Sequence, residues 1–183
     1  MAVSTRDNIL SIREATTDDA VAIASIYNHY VRESIATLQE NDATVGEISS
    51  KLDSIRSKGM PYVVTDDSAG TLYGYAYADD WNGGTGYKST VECSIYLQPD
   101  HCGRGIGKSL LPHVFAKLRA CGKEQVVAKI SILPGQAAQE VPSCRLHIAY
   151  GFVPVGRLLK VGFKKSHWID VIFLQLALNG VPK

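Results

Sequence analysis

The chain has 183 residues, of which 45% are apolar and 20% charged, and its 19 basic and 18 acidic side chains leave a formal charge of +1. A chain of that size buries a core without disulfides or a metal, and its composition excludes wholesale disorder. The charge balance argues against a nucleic-acid surface or a polybasic membrane anchor, since both need a local excess of Lys and Arg.

Residues 10–15 read as a short strand, and Thr17 followed by Asp18 and Asp19 reads as an N-cap with an acidic first turn. Ala20, Ile23, Ala24, Tyr27, Tyr30 and Val31 then recur at helical spacing. Thr44 and Glu47 form a capping box for a second helix, whose stripe Ile48, Leu52 and Ile55 ends at Gly59. Residues 62–65 and 72–78, joined by the turn 66–70, predict a hairpin, and residues 82–86 a glycine-rich loop. A strand over 89–97 stops before Pro99. After the glycines at 103, 105 and 107, Ile106, Leu110, Leu111, Val114 and Leu118 trace a third helix, with Pro112 predicting a kink. Residues 126–132 form a strand, 134–142 a loop, and Ser143 is the expected cap of a short helix ending at Gly151. Two extended runs, 152–163 and 167–178, complete the order. The fold class is α/β with a mixed sheet, in which hairpins supply antiparallel pairs and the crossover through the third helix supplies a parallel one. One domain over 1–183 is expected, with tails at 1–9 and 179–183.

The apolar stretches fall short of the roughly 18 residues that span a bilayer, and the polar start, residues 1–8, carries no apolar export segment. Cys93, Cys102, Cys121 and Cys144 show no metal-ligand spacing. They read as thiols in a reducing compartment, so a cytoplasmic location without a metal is expected.

A strand, a glycine-rich turn and a helix form a phosphate-binding layout, because free N–H groups and the positive helix end converge on an anion. In Cys102-Gly103-Arg104-Gly105-Ile106-Gly107-Lys108-Ser109, the segment Gly107-Lys108-Ser109 would end a P-loop, but Cys102 stands where its first glycine is required. A dinucleotide fingerprint fails too. A tight turn without a ligand is the remaining local alternative.

Several strings resemble the GCN5-related N-acetyltransferase (GNAT) superfamily, in particular its phosphinothricin and methionine sulfoximine acetyltransferase branch. They are Ile26-Tyr27-Asn28-His29-Tyr30-Val31, Gly74-Tyr75-Ala76-Tyr77-Ala78, Tyr87 with Glu92 and Ser94-Ile95-Tyr96-Leu97, Gly105-Ile106-Gly107, Leu146-His147 before Gly151-Phe152, and Gly162-Phe163-Lys164 with Trp168 and Asp170-Val171. The resemblance implies a mostly antiparallel sheet of six to seven strands flanked by about four helices, acetyl-CoA as co-substrate and a small amino-acid-like amine as acceptor. It further implies Glu92 as base and His147 as a second catalytic candidate. The main chain of Ile95, Tyr96 and Leu97 would receive the pantetheine arm. Gly103, Arg104, Gly105, Ile106, Gly107 and Lys108 would hold the pyrophosphate, with Ser143 nearby. Tyr30, Leu38, Tyr77, Trp81 and Tyr87 would wall the acceptor pocket, and a homodimer is expected.

Mid-strand burial would raise the Glu92 pKa toward that of a working base, whereas a surface salt bridge is the competing reading. His147 is either a proton donor or a structural hydrogen-bonding residue, and Tyr27, Tyr30 and the other pocket aromatics are either wall or core. Three departures from the branch stand out: Cys102 replaces the usual Gln or Arg, the loop 133–142 is longer and lacks an Asn, and Gly84 stands in place of an Arg. That Arg would hold a carboxylate or phosphinate. Two rival functions, acetylation of protein or peptide amines and non-catalytic acyl-CoA sensing, are separable by peptide competition and by Glu92→Gln.

Overall fold

The computed structural model describes residues 10–67 and 69–180. The expected tail 1–9, most of the tail 179–183 and Ser68 in the first hairpin turn lie outside them. Among the described residues four α-helices and seven strands follow one another as β1 (Ser11–Glu14), α1 (Ala20–Glu33), α2 (Val45–Ser57), β2 (Tyr62–Asp66), β3 (Leu72–Asp80), β4 (Thr90–Leu97), α3 (Ile106–Ala120), β5 (Gln125–Ile132), α4 (Pro142–Ala149), β6 (Val153–Lys164) and β7 (His167–Ala177). They build one sheet of order β1-β2-β3-β4-β5-β7-β6. Every neighbouring pair is antiparallel except β4 and β5, which run parallel. The expected mixed sheet is therefore present, its one parallel pair supplied by the crossover through α3.

Side chains alternate across a pleated strand, and here the alternation sorts the core into two layers. On one face Tyr75 stacks on Tyr62 and Tyr96, and Tyr96 meets Tyr27 and Tyr30 of α1. On the other, Ile95 approaches Gly107 of α3, and Cys93 approaches His147 of α4. Glu92 and Cys93, adjacent in β4, thus point to opposite sides of the sheet.

The capping box of α2 forms as expected: Thr44 Oγ1 accepts from the Glu47 N–H while Glu47 accepts from the Thr44 N–H. At α1 the cap shifts by one residue. Thr16 caps a single 3₁₀ turn over Thr17–Asp19, and the α-helix starts only at Ala20. Ser143 is not the cap of α4. Val141 occupies that place and Pro142 the first helical position, where a proline's missing N–H costs nothing and its φ suits the helix. The segment between α1 and α2 is held at both ends of its course. Asn28 pairs with both main-chain groups of Ala43, and the buried Lys164 donates to the Thr37 carbonyl at 2.7 Å.

Helix α3 passes through Pro112 as one element. Proline offers no N–H to the carbonyl four residues back, that of Lys108, and its ring pushes that carbonyl outward. The hydroxyl of Tyr150, just past α4, donates to this same Lys108 carbonyl. The exception to helix chemistry in α3 thereby becomes a tie between α3 and α4.

Candidate active site

β4 and β5 are in register only from Thr90↔Gln125 to Glu92↔Val127. Beyond Glu92 the strands part, and the segment 93–97 keeps β3 on one side but has no strand on the other. The opening is a cleft of about 730 Å³ between β4 and β5, floored by the turn before α3 and the start of α4. Of the residues singled out from sequence, it brings together Tyr30, Ile95, Tyr96, Leu97, Gly103, Gly105, Ile106, Gly107, Lys108, Ser143 and His147.

The turn before α3 needs its glycines. Gly103 and Gly105 have φ of 78° and 86°, a region closed to most side chains. Gly107 is small for a different reason: a Cβ there would sit 2.8 Å from Leu146 of α4. The main-chain N–H groups of residues 103–107 have no hydrogen-bond partner among the described residues, whereas the Lys108 N–H is turned back onto the Gly105 carbonyl at 2.9 Å. The run of unpartnered N–H groups is thus five residues long, where six were expected to face a pyrophosphate. Arg104 does not line the cleft, while Lys108 does.

His147 is 2% exposed, and burial pushes its pKa down. Its Nδ1 lies 2.8 Å from the Ser143 carbonyl, which can only accept, so Nδ1 carries the proton. The neutral ring therefore turns a bare Nε2 to the Cys93 sulfur, 3.8 Å away. Burial, with Glu92 adding to it, raises the Cys93 thiol to about 12, so folding creates a Cys–His pair but not a thiolate.

Glu92 does not line the cleft itself but stands at its rim, at the last β4–β5 pair. Its side chain is 27% exposed, so the mid-strand enclosure expected for it is incomplete, and its carboxylate lies 2.8 Å from Lys129 Nζ. Lys129 does line the cleft and also stands over the Trp81 ring, 5.8 Å from its centroid. Trp81 is consequently a neighbour of Glu92 through Lys129, though it is not part of the cleft wall.

Three expected pocket residues lie elsewhere. Tyr77 is core: it stacks on Tyr62 and its hydroxyl accepts from Lys51 at 2.6 Å, because its position in β3 carries it under α2. Leu38 packs on β6, so close to Gly162 that a Cβ there would lie 2.7 Å from Leu38 Cδ1. Tyr87, 49% exposed, follows the glycine loop and faces Lys58 and Asp79 across a separate shallow depression. Tyr30, by contrast, reaches the cleft from α1 and donates to the Leu97 carbonyl at 2.7 Å.

An acetyltransferase (GNAT) domain profile matches residues 12–173. The chain belongs to the GNAT acetyltransferases. Within that family it is 35% identical to the L-amino acid N-acyltransferase MnaT of Escherichia coli, over 93% of this chain and 95% of that protein. It is 34% identical to the L-methionine sulfoximine/L-methionine sulfone acetyltransferase of Salmonella typhimurium, over 93% and 95%. A solved GNAT phosphinothricin acetyltransferase of Sinorhizobium meliloti, in complex with AcCoA, superposes with a TM-score of 0.85 at 34% identity, covering 95% of this chain and 93% of that one.

Two features of this GNAT site escape a reading of the residues alone. The Cys93–His147 contact joins positions 54 apart in sequence and exists only once α4 docks. Lys129 does leave a trace, as the one charged residue of β5.

Proposed function

We propose that this GNAT acetyltransferase transfers the acetyl group of acetyl-CoA to the amine of a small amino acid, by direct attack in a ternary complex with Glu92 as base. The observation that carries the reading is the free edge of β4, which continues from Glu92 into the bare N–H groups of residues 103–107. An extended pantetheine arm would add to that edge as a strand does, and the diphosphate would meet the turn and the positive end of α3. Lys108 adds a cation there, and Ser143 lines the same end of the cleft. The acceptor class rests on the relatives, whose names specify L-amino acids, methionine sulfoximine, methionine sulfone and phosphinothricin.

An alkyl ammonium, with a pKa near 10, must lose a proton before it attacks. Glu92 at the cleft rim takes that proton, the amine nitrogen bonds to the thioester carbon, and the oxyanion meets a main-chain N–H of the free edge of β4, that of Ile95 or Leu97. The carbon–sulfur bond then breaks, and the thiolate takes up the second proton, which the attacking nitrogen sheds as the amide forms. We do not give that proton to His147: its one ring proton is committed to Ser143, and burial resists a second. His147 instead holds Cys93 and the first turn of α4. Tyr30 and Trp81 flank the acceptor, while Tyr77, Leu38 and Tyr87 do not touch it. With Gly84 there is no guanidinium at that position for a carboxylate or a phosphinate, which weakens phosphinothricin as the acceptor.

Two further parts of the reading concern surroundings. Four free cysteines favour the cytosol. The edge strand β6 exposes Val153, Val155, Leu159, Val161 and Phe163, an apolar row that a second copy of the chain would cover. The chemistry is tested by thiol release from acetyl-CoA over a panel of amino acids, polyamines and peptides. Glu92→Gln is expected to lower kcat by about 100-fold or more while calorimetric binding of acetyl-CoA persists. Turnover of peptides alone, or an undiminished Glu92→Gln, would remove the proposal.

A further inference from the structure

Lys129 has no part in the chemistry above, yet it occupies the approach to Glu92. It lies in β5 two residues beyond Val127, the last register partner of β4, and so on the same face as Glu92. Its ammonium stands 2.8 Å from the Glu92 carboxylate and over the face of Trp81. Trp81 is held edge-on by Phe173, the register partner of Lys129 on β7. The indole and the carboxylate therefore define a place for a cation at the rim of the cleft, and in the free protein a lysine of the chain fills it. The other cations lining the cleft among the described residues are Lys108 and Arg145, which belong to its α3 and α4 end.

The pair is built to open. The two side chains are 44% and 27% exposed, a degree of exposure at which ion pairs are weak. A lysine stem is also flexible enough to swing its charge aside while the base of the stem stays on the sheet. A plain amine arriving as an ammonium must displace Lys129 from Glu92 and leave that charge without a partner. An amino acid brings the replacement with it, because its ammonium and carboxylate are attached to the same α-carbon. The ammonium takes Glu92, the carboxylate takes Lys129, and every charge remains paired. Gly84 cannot supply a competing cation.

We propose that Lys129 is the specificity-determining residue that selects amino acids over plain amines, by receiving the acceptor's carboxylate when the acceptor's ammonium displaces it from Glu92. This rests on the reading of Glu92 as the base that meets the acceptor nitrogen. The test compares L-methionine sulfone with its carboxamide and with the corresponding decarboxylated amine, in the wild type, Lys129→Met and Lys129→Arg. In the wild type the acid is expected to have the lowest KM. In Lys129→Met, KM for the acid should rise at least about 10-fold more than KM for the carboxamide, the loss of one charge-assisted hydrogen bond. Lys129→Arg should restore much of the preference, which a purely structural lysine would not do. Acid and carboxamide with equal KM in the wild type, or equal losses for both in Lys129→Met, would overturn the role of Lys129 and leave acyl transfer standing. No turnover of any of the three, with acetyl-CoA still bound, would overturn the Glu92 reading and this inference together.

Discussion

The tie between Tyr150 and α3 yields a prediction that can be worked through. Removing the Tyr150 hydroxyl leaves the Lys108 carbonyl with neither Pro112 nor a side chain to satisfy it. A lost hydrogen bond is worth about 1 kcal/mol net, and an orphaned acceptor costs more only where water cannot reach it. The contact lies at the surface, so Tyr150→Phe should cost about 1 kcal/mol, or about 2–4 °C in Tm for a domain of this size. The edge-on packing of the ring against Phe115 survives the change. In Pro112→Ala the new N–H at 112 reaches the Lys108 carbonyl along the helix, so adding Tyr150→Phe should then cost well under half as much. A double-mutant cycle by urea denaturation measures the coupling. Equal costs of Tyr150→Phe in both backgrounds would refute the idea that the tyrosine substitutes for the missing helix bond.

Other expectations follow from the same geometry. Gly105→Ala forces a side chain into φ near 86°, so it should lower stability by about 1 kcal/mol and weaken acetyl-CoA binding in calorimetry; unchanged binding would argue against the turn as diphosphate cradle. The folded protein holds His147 neutral, with a pKa below that of the unfolded chain. The unfolded chain therefore binds more protons as pH falls below about 6.5. The stability owed to the neutral ring is complete above that pH and is lost on acidification toward the folded value. Melting curves from pH 7.5 down to 5.5 should show a fall in Tm that His147→Gln flattens. Val161→Asp, on the exposed face of β6, should leave the melting temperature within a few degrees while shifting the molar mass in light scattering from two chains to one; no shift would remove β6 as the contact.

Fold order was legible because strong periodicity and punctuating glycines coincide, as at the 44/47 capping box and in the strand before α3. Boundaries slipped where two residues competed for one role: Thr16 against Thr17, and Ser143 against the Val141–Pro142 pair. The glycine turn was legible since its conformation lies in the main chain, which the glycines at 103 and 105 announce. Residues placed by three-dimensional packing were not. Tyr77 looks like any strand aromatic until the position of α2 decides whether it meets Lys51 or the cleft. Leu38 likewise depends on how the pinned segment between α1 and α2 lies across β6. Glu92 stands out in the sequence, but its lysine partner sits 37 positions away on a strand whose register no local pattern encodes.

The brevity of the β4–β5 pairing has a thermodynamic consequence. The sheet resembles two plates riveted along three residues, and past the rivet each plate leaves main-chain groups facing the gap. An acylated coenzyme lying there would act as a missing rung, so its binding energy would be spent partly on closing the two plates upon each other. Amide protons that face the gap, those of Ile95 and Leu97 among them, should accordingly exchange more slowly once it is filled. The gain in melting temperature should track the logarithm of coenzyme concentration.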